Sequence, residues 1–186
     1  MFKVQVRKQA LQQRNFLTSK DYDLLNHRLL EGFKTLDFSK ISSIHVFLPI
    51  LANKEPNTFL LIDWLQENYP QIEIIVPKAD FEFSLMRSYR YFNKADLVLN
   101  SYHIPEPKNS QETTTIPDVV LVPLLAFDLK GHRVGYGMGF YDRFLQNTTA
   151  QKIGLSFFDA VTEINDVHLN DIRLDKYITP TGTIDF

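Results

Sequence analysis

The chain has 186 residues, 44% hydrophobic and 23% charged, the make-up of a soluble globular protein long enough to bury its own core. Its 20 Lys and Arg against 22 Asp and Glu leave a formal net charge of -2, which gives no overall electrostatic footprint for a nucleic-acid binder. Cysteine is absent, which excludes disulfides and thiolate metal sites and suits a reducing cytoplasm.

The opening stretch MFKVQVRKQALQQR is charged and carries no continuous apolar segment, so no signal peptide is expected there. It is rich in helix formers, and a helix is predicted over residues 3–16. A second helix is predicted from Ser19, because Thr18-Ser19-Lys20-Asp21 has the form of a capping sequence. Leu25, Leu29, Phe33 and Leu36 then recur at helical spacing and give it one buried stripe.

SIHVFLPI, 43–50, reads as a strand. It is followed by the helix FLLIDWLQENY, with Asn57-Thr58 as its cap and Pro70 as its stop. The apolar run Phe59-Leu60-Leu61-Ile62 ends at Asp63, far short of the roughly 20 residues of a membrane span. IEIIVPKAD, 72–80, returns as a strand, and the pair with the helix between them forms a βαβ unit with parallel pairing. FEFSLMRSY reads as an edge strand, and EPKNSQETTTIPD, Glu106 to Asp118, as a polar surface loop. PDVVLVPLLAFD, 117–128, is the most continuously apolar run, the mark of a central strand covered on both faces. FYDRFLQN is helical, KIGLSF at 152–157 is a short strand, and KYITPTG closes the chain. The alternation predicts a three-layer α/β/α sandwich with a mostly parallel sheet, as one domain over residues 1–186.

Four of the 7 glycines, Gly131, Gly135, Gly137 and Gly139, fall in GHRVGYGMGFYDR between the apolar run and the next helix. That order puts the glycine loop at the carboxyl end of a central strand, where open α/β sheets bind ligands. Glycine lets backbone N–H groups approach a ligand, and a helix N-terminus favours an anion. Arg133 and Arg143 flank the loop as charge partners for phosphate. On these residues alone a phosphate cradle and a packing or connector role both stand. Asp142 is likewise open between holding Mg²⁺ and stabilising the helix start. The stretch is neither a P-loop, lacking Gly-Lys-Ser/Thr, nor G-x-G-x-x-G, because residue 140 is Phe. The five histidines have no zinc-ligand spacing, and there is no G-x-S-x-G elbow.

VPLLAFDLKGHRVGYGMGFYDRFL closely resembles the signature of the 5-formyltetrahydrofolate cyclo-ligase family, with Val134 and Phe140 as mild departures. The likeness extends to Lys3 and Arg7, which match a K-x-x-x-R pair that binds ATP phosphates in that family. It also reaches SYHIPEP at 101–107 and NDIRLDKYIT near the C-terminus, where Asn170 and Ala160 depart from the family pattern. The resemblance implies a fold akin to ribose-phosphate isomerases and CoA transferases, and ATP-dependent closure of 5-formyltetrahydrofolate to 5,10-methenyltetrahydrofolate with Mg²⁺. It implies ATP contacts at Lys3, Arg7, Arg133, Val134, Gly135, Tyr136, Gly137, Met138, Gly139, Phe140 and Tyr141. Folate contacts are implied at Ile50, Glu55, Met86, Tyr102 and the loop from Tyr136 through Phe140, and metal carboxylates at Asp142 and Asp171. Arg133 and Tyr141 are the implied catalytic residues. The expected partners are small molecules only, with no nucleic acid and no membrane, and the expected state is a cytoplasmic monomer. The alternatives are a non-catalytic folate or nucleotide binder and a sugar-phosphate isomerase-like enzyme on the same fold.

Overall fold

Two helices open the chain, α1 (Lys3–Phe16) and α2 (Ser19–Lys34), in a computed structural model that describes all residues from Met1 to Phe186. The cap expected at Thr18 is present: its hydroxyl accepts the Asp21 N–H at 3.1 Å and donates to the Asp21 carboxylate at 2.6 Å. The predicted stripe also holds, with Leu29 and Phe33 fully buried and Leu25 and Leu36 packed beside them.

The remaining elements are β1 (Ser43–His45), α3 (Phe59–Asn68), β2 (Glu73–Asp80), β3 (Leu85–Arg90), β4 (Leu97–Leu99) and β5 (Pro105–Pro107). They continue as β6 (Val119–Pro123), β7 (Ala126–Phe127), β8 (Arg133–Val134), α4 (Phe140–Leu145), β9 (Gln151–Leu155), β10 (Lys176–Thr179) and β11 (Gly182–Asp185). A seven-stranded sheet runs in the order β11-β10-β9-β6-β1-β2-β3. The five inner strands are parallel, and β3 and β11 close the edges as antiparallel hairpin partners. The expected mostly parallel sheet with helices over both faces is therefore present.

Alternate residues of the inner strands supply two cores. Ile44, Leu121, Ile153 and Ile178 face α2 and α3, whereas Val120, Val122 and Tyr177 face α4 and the segment carrying Leu174. This two-sided burial is why β6 reads as unbroken apolar sequence. Helix α1 packs Val6 and Ala10 on the small β7–β8 hairpin through Leu125, Ala126 and Val134. No helix is long and apolar enough to cross a membrane.

Several boundaries differ from the sequence reading. The strand expected over 43–50 leaves the ladder after His45, and Val46, Phe47 and Leu48 continue buried toward Pro49 and a short helical turn at Leu51–Asn53. Thr58 does not cap α3. Its hydroxyl instead donates to the Phe47 carbonyl at 2.6 Å, tying the helix start to that departing chain. Residues 81–84 form a turn ahead of β3, with Ser84 at φ 53. The 117–128 run breaks after Pro123, so that β7 turns back to pair with β8. The polar loop is not wholly free: Gln111 and Thr113 bond to Arg90 and Ser88 along the outer side of β3.

Gly154, in β9, is set by packing. A Cβ there would lie 2.5 Å from both Leu124 and Tyr177 side-chain atoms. Gly154→Ala is expected to lower stability by about 1–3 kcal/mol through overpacking, read as a depressed Tm in thermal unfolding. An unchanged Tm would mean that Tyr177 has room to move.

Candidate active site

A cavity of about 510 Å³ opens at the carboxyl ends of β1, β2 and β6. Sequence order runs outward from β1 to β2 on one side and from β6 to β9 on the other, so the chain diverges between β1 and β6. Open α/β sheets bind ligands at such a divergence. Phe47 and Leu48, which left the ladder early, form part of the wall, with Pro77 and Ala79 from β2 and Pro123 from β6.

The glycine loop crosses the mouth. Gly137 has φ 102 and Gly139 φ 68, backbone that a side chain would strain. None of the five amides from Gly135 to Gly139 donates a hydrogen bond to another group of the protein, although all five residues line the cavity. Successive amides free of protein partners can form a concave anion receptor. Helix α4, which follows, has only six residues, so the loop amides and nearby cations carry the attraction more than a helix dipole does.

Two cations reach the loop from α1. Lys3 and Arg7 share one helix face, as their spacing predicts, and both line the cavity. Arg7 Nε donates to the Gly135 carbonyl at 2.9 Å, and its guanidinium lies beside Gly137. Lys3 pairs with Asp171, 168 residues away in sequence. Burial opposes the charge of Asp171, but Lys3 and the His168 N–H outweigh it and hold the carboxyl below its usual range. Arg133 is nearly buried and donates to Asp142 Oδ1 at 2.9 Å and to the Ile172 carbonyl. The Ile172 N–H bonds the same Asp142 oxygen at 3.0 Å. Arg143 turns to the Ser84 and Met138 carbonyls at 2.8 and 2.9 Å, and fixes the loop rather than pointing into the cavity.

The protein bonds of Asp142 fall on Oδ1 and those of Asp171 on Oδ2, which leaves one oxygen of each carboxylate. No cluster of three or more metal-binding side chains exists. Two hard oxygen donors beside an anion receptor fit Mg²⁺, which keeps waters and takes phosphate oxygens as its further ligands.

The opposite wall holds Glu55, only 3% exposed. Its Oε1 accepts the Tyr136 hydroxyl at 2.6 Å and its Oε2 the Ile50 N–H at 2.7 Å. Burial pushes its carboxyl above the ordinary value, against the pull of Tyr136, Ile50 and Arg14. The preceding Lys54 sits in left-handed backbone at φ 47, and its Nζ bonds the Asn15 and Leu17 carbonyls at the end of α1.

Of the residues singled out from sequence, Ile50, Met86, Val134, Met138, Phe140 and Tyr141 all line the cavity with those above. Tyr102 does not. It stacks on Phe81 at 4.4 Å, and Phe81 in turn lines the cavity against Phe140. The Tyr141 hydroxyl is buried without a partner, and burial drives its pKa far up. Beneath it lies His45, fully buried and driven down to about 3 by desolvation, hence neutral. Sequence reading missed Phe81, Asn100, Glu106 and His168 in the lining, and missed Arg14 behind it. Arg14 carried a signal: it stands seven residues after Arg7 on the same helix.

A family model described as the 5-formyltetrahydrofolate cyclo-ligase family matches residues 2–180. A 5-formyltetrahydrofolate cyclo-ligase of Mycolicibacterium smegmatis is 31% identical over 147 residues, 76% of this chain and 76% of that one. A mitochondrial counterpart in Arabidopsis thaliana is 30% identical over 176 residues, 83% of this chain and 57% of the relative. The NMR structure of Aquifex aeolicus 5,10-methenyltetrahydrofolate synthetase superposes with a TM-score of 0.84 at 26% identity. That match spans 100% of this chain and 93% of the other.

The raised pKa of Glu55 has a consequence for stability. A carboxyl whose folded pKa exceeds the 4.5 of the free group contributes fully below 4.5 and loses that contribution as pH rises through the folded value. Glu55→Gln removes the titration and keeps one acceptor. The variant's Tm, relative to the parent's, is expected to climb as pH rises from 4.5 toward 8 in melts without ligand. A difference that stays flat with pH would show that the buried carboxyl costs the fold nothing.

Proposed function

This chain belongs to the 5-formyltetrahydrofolate cyclo-ligase family, and we infer that it performs the reaction for which that family is named. 5-Formyltetrahydrofolate and ATP give 5,10-methenyltetrahydrofolate, ADP and phosphate. A formamide is a poor electrophile whose oxygen leaves poorly. The formyl oxygen attacks the γ-phosphorus of ATP, the bond to the ADP oxygen breaks, and an imidate phosphate results. Folate N10 then attacks the activated carbon, the C–O bond breaks, and phosphate departs with the former formyl oxygen while N10 loses its proton. Such transfer needs positioning and charge stabilisation more than a protein nucleophile.

The observation that carries this reading is the run of five unpartnered amides at Gly135–Gly139, set between cations and carboxylates on one side and a buried Glu55 on the other. The amides, Lys3 and Arg7 receive the triphosphate. Asp142 and Asp171 hold Mg²⁺, which offsets phosphate charge when bound. Arg133 fixes Asp142, and its cationic field lies beside the transferred group. Glu55 and Tyr136 meet the polar edge of the folate ring, with Ile50 and Met86 against its faces. Tyr102 and Phe81 close the outer rim. Tyr141 lines the cavity with a buried, unpartnered hydroxyl, and its proposed role is to donate to the formyl oxygen or to the phosphate that forms there.

Near-UV absorbance of the methenyl product is expected to rise only when protein, 5-formyltetrahydrofolate, ATP and Mg²⁺ are all present. Asp142→Asn, shown folded by circular dichroism, is expected to cut turnover about 10- to 100-fold, the scale for disturbing a metal's surroundings. No absorbance rise and no ADP from folded parent protein would sink the proposal.

A further inference from the structure

Arg14 is a charged side chain in an unusual place. It lies on α1, two turns beyond Arg7, and is 2% exposed. A guanidinium is seldom buried without a job, because removing it from water is costly unless its donors are used. One nitrogen donates to the Leu124 carbonyl, immediately after β6, and another reaches the Tyr136 hydroxyl oxygen at 3.4 Å. The Nε is buried with no acceptor. The same Tyr136 oxygen donates its proton to Glu55 Oε1 at 2.6 Å.

These contacts form a directed chain. The Tyr136 oxygen accepts from Arg14, so its one proton is committed to Glu55. A hydroxyl that accepts from a cation is the better donor for it, since charge-assisted bonds polarise their neighbours. The Ile50 N–H fixes the other carboxylate oxygen, and the Tyr22 hydroxyl bonds the Glu55 carbonyl from α2. Tyr22, Tyr136 and Tyr141 are all neutral phenols near the carboxylate, and burial raises each of them. Among the cations, Arg14 pulls the Glu55 carboxyl down and reaches it through a glycine-loop residue, whereas Lys54, next in sequence, turns its ammonium to the Asn15 and Leu17 carbonyls.

We propose that Arg14 is a positioning residue for the folate half of the site, orienting the Tyr136 hydroxyl so that Glu55 stands fixed and anionic where the substrate ring enters. It does not touch substrate: Arg14 lies behind the lining that Tyr136 and Glu55 present. The inference deepens the cyclo-ligase reading and rests on it for the identity of the ligand, but its electrostatic part stands without any turnover. It also separates the roles of α1. Lys3 and Arg7 serve the phosphate side, and Arg14, further along the same helix, serves the other.

The test has two arms. In the first, ¹³C NMR follows the Glu55 carboxyl through a pH titration of ligand-free protein, with Glu55→Gln identifying the resonance. Arg14→Met is expected to raise its midpoint above that of the parent, Tyr136→Phe to raise it too, and Arg14→Lys to keep it close to the parent by preserving the charge. In the second arm, Arg14→Met is expected to raise KM for 5-formyltetrahydrofolate about 10-fold, the scale of one charge-assisted hydrogen bond, while KM for ATP stays within about 2-fold. Should Arg14→Met fail to fold, Arg14→Gln removes the charge but keeps a polar side chain and must raise the midpoint in the same direction, and Tyr136→Phe, which also removes Glu55's own hydrogen bond, must raise it further. An unmoved Glu55 midpoint in the folded variants overturns the proposal, as does an equal rise in both KM values. Absence of turnover in the parent would instead overturn the cyclo-ligase reading, and the NMR arm would still decide the role of Arg14.

Discussion

Five successive amides without a protein acceptor lie in a loop exposed at Tyr136, Gly137 and Met138, and the residues around the glycine loop hold it by other atoms. Water serves such amides until a ligand replaces it, so the run costs the fold little as long as other atoms fix the loop. Here the carbonyls and side chains do that work. Arg7 takes the Gly135 carbonyl, Arg143 the Met138 carbonyl, and Tyr136 is pinned by its hydroxyl to Glu55. The loop is thus anchored through its oxygens and one phenol, and its N–H groups are left without protein partners at the cavity mouth. Preorganised dipoles of this kind need no rearrangement when charge arrives, which is the property phosphoryl transfer demands.

The sheet supplies the rigid frame for that arrangement. β6 is covered on both faces and ends at Pro123, where the chain swings into the β7–β8 hairpin and so delivers Arg133 and the loop to the carboxyl edge. α1 lies across this hairpin and sends three cations to the loop and its surroundings, Lys3, Arg7 and Arg14, each meeting a different partner. Arg133 illustrates the division of labour. Its place in the sequence suggested a phosphate ligand, but its bonds go to Asp142 and Ile172, so its first task is to orient a carboxylate.

What was legible in the sequence was local. The Thr18 cap, the Leu29–Phe33 stripe and the covered strand β6 each follow from residues within one or two turns of each other, and each is present. The glycine loop was legible because its residue type is constrained wherever it occurs. What escaped reading was the choice of partner across long separations. Nothing near Thr58 tells that its hydroxyl will meet the Phe47 carbonyl instead of its own helix, since a cap and a tertiary bond ask for the same residue. Likewise Arg14 reads as one more solvated helix charge until Tyr136, 122 residues later, comes to lie beside it. Tyr102 matched a motif, yet a stacking choice with Phe81 moved it to the rim. Side-chain identity narrows the candidates, and only the fold selects among them.

The pair formed by Lys3 and Asp171 joins positions near the two ends of the chain. Closing a loop of that span is slow relative to forming α2 or the β2–β3 hairpin, because its entropy is lost before any reward arrives. During synthesis, which proceeds from the N-terminus, Lys3 is made 168 residues before the carboxylate that it pairs with. Glu55 and Tyr136 can meet well before that. In a growing chain Glu55 and Tyr136 are both present before Asp171, so the phosphate side of the proposed site gains its second carboxylate only once β9 and most of the segment leading to β10 have been made. Until then Lys3 is a bare cation on an unfinished side, while Glu55 on the other already has its phenol.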